Sequence, residues 1–298
     1  MPAVVNHLVK LFADDSKLIA TIRSNSDLAL LQHDLDALSE RSNKWRMLFN
    51  VDKCKVMELS RSGKSHSAES ELLMGDPGSR SALAVVDTEK DLGVTFSSNL
   101  KFTNHIRTQA NRATSILGQL KRTFRYWTID TCRTLYCAFV RPHLEYAAVV
   151  WSPPNKKNMK LLENVQRRAT KLVPRIRNWK YEERLAVLNL TSLHERRARG
   201  DMIQQFKLTN GINEVNWVNP QVRSSSLSQS GPARGIRGHT RRLSGQASTK
   251  CIQRANSFTN RVVNDWNALP AAVTDSDSVN QFKNRYDAYM TGRQIKVS

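Results

Sequence analysis

The sequence predicts an α+β chain, mainly α, with a small strand-bearing front, a basic helical region and a basic C-terminal tail. Three observations predict it. In the first hundred positions apolar residues fall in short runs separated by polar turns, as in short strands. From Phe102 onward they recur at helical spacing instead. The charge changes with the pattern: residues 1–100 carry 12 Lys and Arg against 14 Asp and Glu, and residues 101–298 carry 34 against 12.

The front opens as a β-hairpin, with apolar runs Leu8–Phe12 and Leu18–Ile22 on either side of Ala13-Asp14-Asp15-Ser16. Ser26 reads as an N-cap for an amphipathic helix that carries Leu28, Leu31, Leu35 and Leu38 and runs to about Trp45. Val51–Leu59 alternates as a strand does, residues 61–80 are a Ser/Gly-rich loop, and Leu92–Phe96 is a further short strand. The helical spacing then predicts helices over 103–124, 129–150 with a break at Pro142, 156–173, 181–188 and 192–210. Pro153-Pro154, Pro174 and Gly211 are stops. Residues 220–250 lose apolar periodicity and become Ser/Gly/Arg-rich, the composition of a flexible basic linker or of a segment that orders on nucleic acid. A last unit runs from Phe258 to about Met290, with a helix at 278–290. The resulting division is 1–100, 101–215, 216–250 and 251–298, without internal repeats.

A formal net charge of +20, all of it arising after residue 100, points to a polyanionic partner held by counterion release. A solvated basic surface is the plainer reading; arginine among aromatics favours nucleic acid. Cys54, Cys132, Cys137 and Cys251 follow neither a disulfide framework nor zinc-ligand spacing, which fits a reducing intracellular compartment, nuclear or cytoplasmic. No apolar stretch approaches the roughly 20 residues of a membrane span. The first residues lack the pattern of a signal peptide.

Asp14 and Asp15 are the strongest chemical candidates, because two-metal nucleotidyl transfer needs hard oxygen ligands on a rigid element. An Asp pair at a turn also serves simply as a solvated turn. The basic helices are a separate candidate. Arg107, Arg112, Lys121, Arg122 and Arg125 are interleaved with Phe124, Tyr126 and Trp127, while Arg167, Arg168, Arg196, Arg197 and Arg199 lie on later helices. Cations contact phosphates and aromatic rings stack on unpaired bases. Trp151 and Trp266 read as core. His143, Glu145 and Cys137 lack the third group that a catalytic constellation needs, and no Gly-rich phosphate loop is present.

Phe12-Ala13-Asp14-Asp15 resembles the aromatic-x-Asp-Asp hairpin of reverse transcriptases. The helix after it, with Trp45, Phe49-Asn50 and Lys53-Cys54, is similar to the next palm block of the LINE type. Leu92-Gly93-Val94 with Leu100 and His105 is similar to the block behind the palm, with Phe102 where many relatives have Trp. Phe139–Ala147, Trp151-Ser152-Pro153, Leu161–Thr170, Glu183-Arg184-Leu185, Glu195–Asp201 and Phe258–Pro270 continue the resemblance in order, to the C-terminal part of non-LTR (LINE-type, jockey-like) retrotransposon polymerases.

The resemblance implies a partial palm over 1–100, a thumb-like helical domain over 101–215, and RNA-directed DNA polymerisation in the family. It implies Asp14 and Asp15 as Mg²⁺ ligands, Lys53 near the phosphates of the incoming dNTP, and Leu92, Gly93 and Val94 against the primer. It also implies an RNA template and a DNA primer or target as partners. The chain begins a few residues before the Asp-Asp hairpin, so the upstream metal-binding Asp and the fingers are expected to be missing and autonomous copying is not expected. A non-enzymatic nucleic-acid-binding role for the basic helices is the alternative.

Overall fold

The computed structural model describes residues 4–60, 71–75, 78–153, 155–215, 217, 221, 239–245 and 250–295. They form two compact units, Met1–Lys101 and Phe102–Ser298, and the class is α+β with helix predominating. Most of the expected linker 216–250, much of the 61–80 loop and Pro154 lie outside the described residues.

In the first unit, β1 (Leu8–Phe12) pairs antiparallel with β2 (Asp15–Ile19), and Phe12 faces Asp15. The connection is therefore Ala13-Asp14 alone, shorter than the four-residue turn the apolar runs suggested. Ala13 has φ +52, the left-handed conformation that a two-residue hairpin turn requires at its first position. α1 (Asn25–Lys44) begins after Ser24 rather than Ser26. The carboxylate of Asp27 fixes this start by accepting from the backbone N–H groups of Arg23 and Ser24 at 2.8 and 2.9 Å. The strand expected over 51–59 is reduced to β3 (Lys55–Val56), because Val51–Lys53 closes a one-turn 3₁₀ helix first. β3 pairs in parallel with β6 (Ala84–Val85), and β4 (Leu73–Met74) antiparallel with β5 (Ser81–Ala82). The last hairpin joins β7 (Thr88–Asp91) to β8 (Val94–Ser97), with Asp91 opposite Val94. Leu92 and Gly93 are thus its turn and not strand, with φ +44 and +82; two positive φ values define a type I′ turn, in which glycine at the second position relieves strain.

Leu35, Met74 and Leu83 form the small core of this unit, with Leu18, Phe49 and Val56 packed on it. Two polar clamps hold α1 to its neighbours. The amide of Gln32 donates to the carbonyl of Leu73 and accepts from its N–H, both at 2.8 Å, as a strand partner would. The fully buried carboxylate of Asp34 accepts from the backbone N–H groups of Asn6 and His7 at 2.9 Å and from the Asn6 amide at 3.0 Å, and His7 Nδ1 lies 2.7 Å from it.

The second unit begins with α2 (Thr103–Thr123), which packs against α4 (Arg141–Glu145) and α6 (Lys156–Thr170). α3 (Ile129–Leu135) runs through a π turn (Tyr136–Val140) into α4. The break expected at Pro142 does not occur there. Arg141 N–H reaches back five residues to the carbonyl of Tyr136, so the helix widens just before the proline and continues. The chain leaves helix at Tyr146-Ala147, where Ala147 has φ +52. α5 (Ala148–Trp151), α7 (Tyr181–Val187) and α8 (Leu193–Thr209) complete the first part. α9 (Ile252–Ala255), α10 (Phe258–Asn267), α11 (Ala271–Thr274) and α12 (Val279–Ile295) follow. Trp266, Phe282, Val262 and Val263 share one core with Met202 and Phe206 of α8. The Arg261 guanidinium forms a bidentate pair with Asp201 at 2.8 Å. Trp151 and Trp266 are both fully buried.

Burial pushes the Asp34 carboxyl up, but the donors from Asn6 and His7 outweigh it and leave it below the ordinary value. Its contribution to stability is therefore complete above the unfolded value of about 3.9 and is lost as pH falls through the lower native value. In denaturant unfolding followed between pH 2 and 6, Asp34→Ala is expected to lose about 3 kcal/mol at pH 6 and less at the acid end. Equal loss at every pH would show that the charge of Asp34 contributes nothing.

Candidate nucleic-acid interface

In the first unit Asp14 lies in the β1–β2 turn and Asp15 opens β2; both are exposed. Lys53, at the end of the 3₁₀ turn, is also exposed. Leu92 stands exposed on the I′ turn, whereas Val94 is buried. The two hairpins meet. Lys17, two residues after Asp15, pairs with the Asp91 carboxylate, one residue before Leu92, and its ammonium lies 5.5 Å from the ring centre of Phe96. Chain positions some seventy residues apart are thereby brought together. Among the described residues, no group of three or more His, Cys, Asp or Glu side chains is placed to hold a metal ion. Two adjacent carboxylates on an exposed turn are an incomplete donor set for a pair of Mg²⁺ ions.

The helical unit sorts its cations into two groups. Arg196, Arg197 and Arg199, expected to face nucleic acid, are engaged within the fold. Arg196 forms a two-point pair with Glu145, which holds its guanidinium above the usual range, and Arg141 approaches the same carboxylate at 3.8 Å. Arg197 is buried. It donates to the carbonyls of Leu193 at 3.3 Å and Leu144 at 2.5 Å and lies 5.1 Å from the Trp151 ring. Burial pulls its pKa down to about 10. Arg199 makes a two-point pair with Asp287 at 2.7 and 2.8 Å.

Arg107, Arg112, Lys121, Arg122 and Arg125 are exposed on and just after α2, and Arg167 and Arg168 on α6. None of these seven is in an ion pair among the described residues. The structure adds four cations that motif reading passed over: Lys156, Lys157, Lys160 and Lys171, all exposed. At 100° per residue, these four with Arg167 and Arg168 fall within about 120° of one face of α6 and its C-cap. Asn158, Leu162, Val165, Gln166 and Ala169 occupy the opposite, buried side. From Lys156 to Lys171 the stripe is about 22 Å long, the span of about six phosphates along one strand of a duplex. The guanidinium of Arg167 sits 3.8 Å over the Tyr181 ring, which limits its freedom. The helical spacing of the lysines was a signal available in the sequence, although no motif marked it.

No family model matches the sequence, and no solved structure matches it. One curated relative, an uncharacterized protein of Caenorhabditis elegans, is 32% identical over 110 residues. The aligned part is 36% of this chain and 56% of the relative, so the chain spans little more than half the length of that protein. Among the described residues, no helix is long and apolar enough to cross a membrane.

The two groups of cations should separate in their effect on stability. Arg197→Ala is expected to lower stability by about 2–3 kcal/mol, because the Leu144 carbonyl loses a charged donor and the Trp151 face loses its cation. Lys156→Ala is expected to change it by less than about 0.5 kcal/mol. Equilibrium denaturation of the two variants checks this; equal effects would show that burial does not distinguish them.

Proposed function

We propose that this chain is part of an RNA-directed DNA polymerase of the non-LTR retrotransposon kind, and that its helical unit holds the nucleic acid. The observation that carries the binding role is the α6 face, with six exposed cations, none of them in an ion pair among the described residues. Release of counterions from a phosphate backbone needs this density of charge, and no particular base sequence. The polymerase context rests on the ordered motifs and is supported by the meeting of the Asp14 hairpin with the Leu92-Gly93 turn through Lys17 and Asp91. In this reading the first unit is palm-like and the second thumb-like. Asp14 and Asp15 would contribute carboxylate oxygens to Mg²⁺, and RNA template and DNA primer would be the partners. Because the described residues supply no further carboxylate beside them, no catalytic step follows from this hairpin. The second reading, carried by the same α6 face, is a nucleic-acid-binding chain that does not itself copy RNA.

Binding to a primed RNA template, followed by fluorescence anisotropy over a salt series, together with primer extension in Mg²⁺ and dNTPs, tests both readings. Salt-sensitive binding without extension is expected, with Asp14→Ala unchanged in both assays. Extension abolished by Asp14→Ala would establish a working polymerase instead. Replacing Lys156, Lys160 and Lys171 together by Ala is expected to reduce the slope of log Kd against log salt by about 2 to 3. An unchanged slope would remove α6 from the interface.

A further inference from the structure

Between α2 and the helix formed by the π turn and α4 lies an open groove of about 440 Å³. Ile116, Leu120 and Phe124 line one side, and Phe139, Pro142 and His143 the other. Phe139 is 53% exposed and Phe124 38%, so two aromatic rings stand in water beside an apolar floor. The π turn that contains Phe139 is the same one that lets the helix pass Pro142. An aromatic pair beside an apolar floor can receive a flat, stacking guest.

The charges around it indicate which guest. Lys121, Arg122 and Arg125 flank Phe124 in the chain and are exposed. Arg112 comes near enough to His143 that its charge, added to the larger effect of burial, holds the imidazole below its usual pKa. Among the described residues none of these four cations has an ion-pair partner. An apolar peptide would leave the four cations unanswered, whereas an unpaired nucleotide satisfies both parts: its base has two π faces and its phosphates are anionic.

We infer that this groove takes an unpaired base, stacked against Phe139 and Phe124, with the adjoining phosphates on Arg112, Lys121, Arg122 and Arg125. The inference rests on the nucleic-acid-binding reading and deepens it. The chain would hold single-stranded nucleic acid at this groove and the backbone of either form along α6.

The test compares the full chain with Phe139→Ala, Phe139→Trp and the triple α6 variant, on a single-stranded oligonucleotide, its duplex and an abasic single strand of equal length. A 2-aminopurine in the single strand reports stacking. Phe139→Ala is expected to weaken single-strand binding about ten-fold and to abolish the fluorescence quenching, with duplex and abasic binding unchanged; Phe139→Trp restores both. Circular dichroism and thermal melting of each variant confirm that the fold is intact. Equal binding by Phe139→Ala and wild type, or equal loss on all three ligands, would overturn the groove. Loss in the α6 variant with none in Phe139→Ala removes the groove and leaves the binding role standing. Wild type that binds nothing in a salt-sensitive way removes both. Self-association abolished by Phe139→Ala, with oligonucleotide binding unaltered, would assign the groove to a second copy of the chain.

Discussion

Gln166 fixes the helical unit. It is fully buried on α6, and its amide is the meeting point of four segments. The Tyr136 hydroxyl donates to its oxygen at 2.6 Å, and its nitrogen donates to the Tyr181 hydroxyl at 2.9 Å and to the Thr191 carbonyl at 3.0 Å. Tyr181 in turn donates to the Glu163 carboxylate, whose other oxygen accepts from the Leu193 N–H at 3.0 Å. Burial raises both phenols, so they remain protonated donors throughout the neutral range. A buried polar network is stabilising only when every member is satisfied, and this one ties the π turn, α6, α7 and the start of α8 to one arrangement. With α6 held in rotation by Gln166 and by Leu162 and Val165 beside it, the face that carries Lys156, Lys160, Arg167 and Lys171 can only point outward.

The same economy of partners explains why the surface is so basic. After residue 100 there are only 12 acidic residues, and most of those that make contacts serve the fold. Glu145, Asp201, Asp275 and Asp287 pair with Arg196, Arg261, Arg241 and Arg199, and Glu163 belongs to the Gln166 network. Glu183 and Glu195 accept from the backbone N–H groups of Lys180 and Ser192 and so begin α7 and α8. Few carboxylates are left to neutralise the exposed lysines and arginines. Positive charge is thus left in excess on the surface, where the exposed lysines and arginines of α2 and α6 lack ion-pair partners among the described residues. Such a field steers a polyanion over distances of about a Debye length and weakens with salt.

Legibility in the sequence followed the range of the interactions. α2, α7 and α8 were placed to within a residue, because their bounds depend on neighbours in the chain, whereas α6 stops at Thr170, three residues short of the expected end, and α12 runs on to Ile295. Turn lengths were read less well: the apolar run beginning at Leu18 hid a second strand that opens at Asp15, where backbone pairing and not side-chain burial decides. Pro142 was read by its local rule, and the π turn that evades that rule leaves no local mark. The roles of Arg196, Arg197 and Arg199 were beyond sequence reasoning, since their partners Glu145, Leu144 and Asp287 lie 51, 53 and 88 residues away. Conversely, Asp201 and Arg261 each stood in a recognisable stretch, and only the fold shows that the two stretches bind one another.

The two units differ in how much geometry their proposed roles demand. Metal-assisted transfer needs carboxylates held to within about half an ångström. Asp14 and Asp15 sit on a two-stranded hairpin whose Leu8, Leu11, Phe12 and Ile19 are exposed, and hairpins of that size are marginal in isolation. What anchors this one is the Asp34 clamp at its base and a half-exposed Lys17–Asp91 pair near its tip, an interaction of about 1 kcal/mol or less. Counterion release, by contrast, depends on charge density along a line and tolerates displacements of several ångströms. The Gln166 network and the Phe206–Trp266–Phe282 core give α6 and α8 far more support than that role requires. Stability in this chain is therefore concentrated under the surface whose proposed role is the less exacting. The binding proposed for the helical unit therefore does not depend on the first unit, and damage there that abolished any contribution of Asp14 would leave it standing.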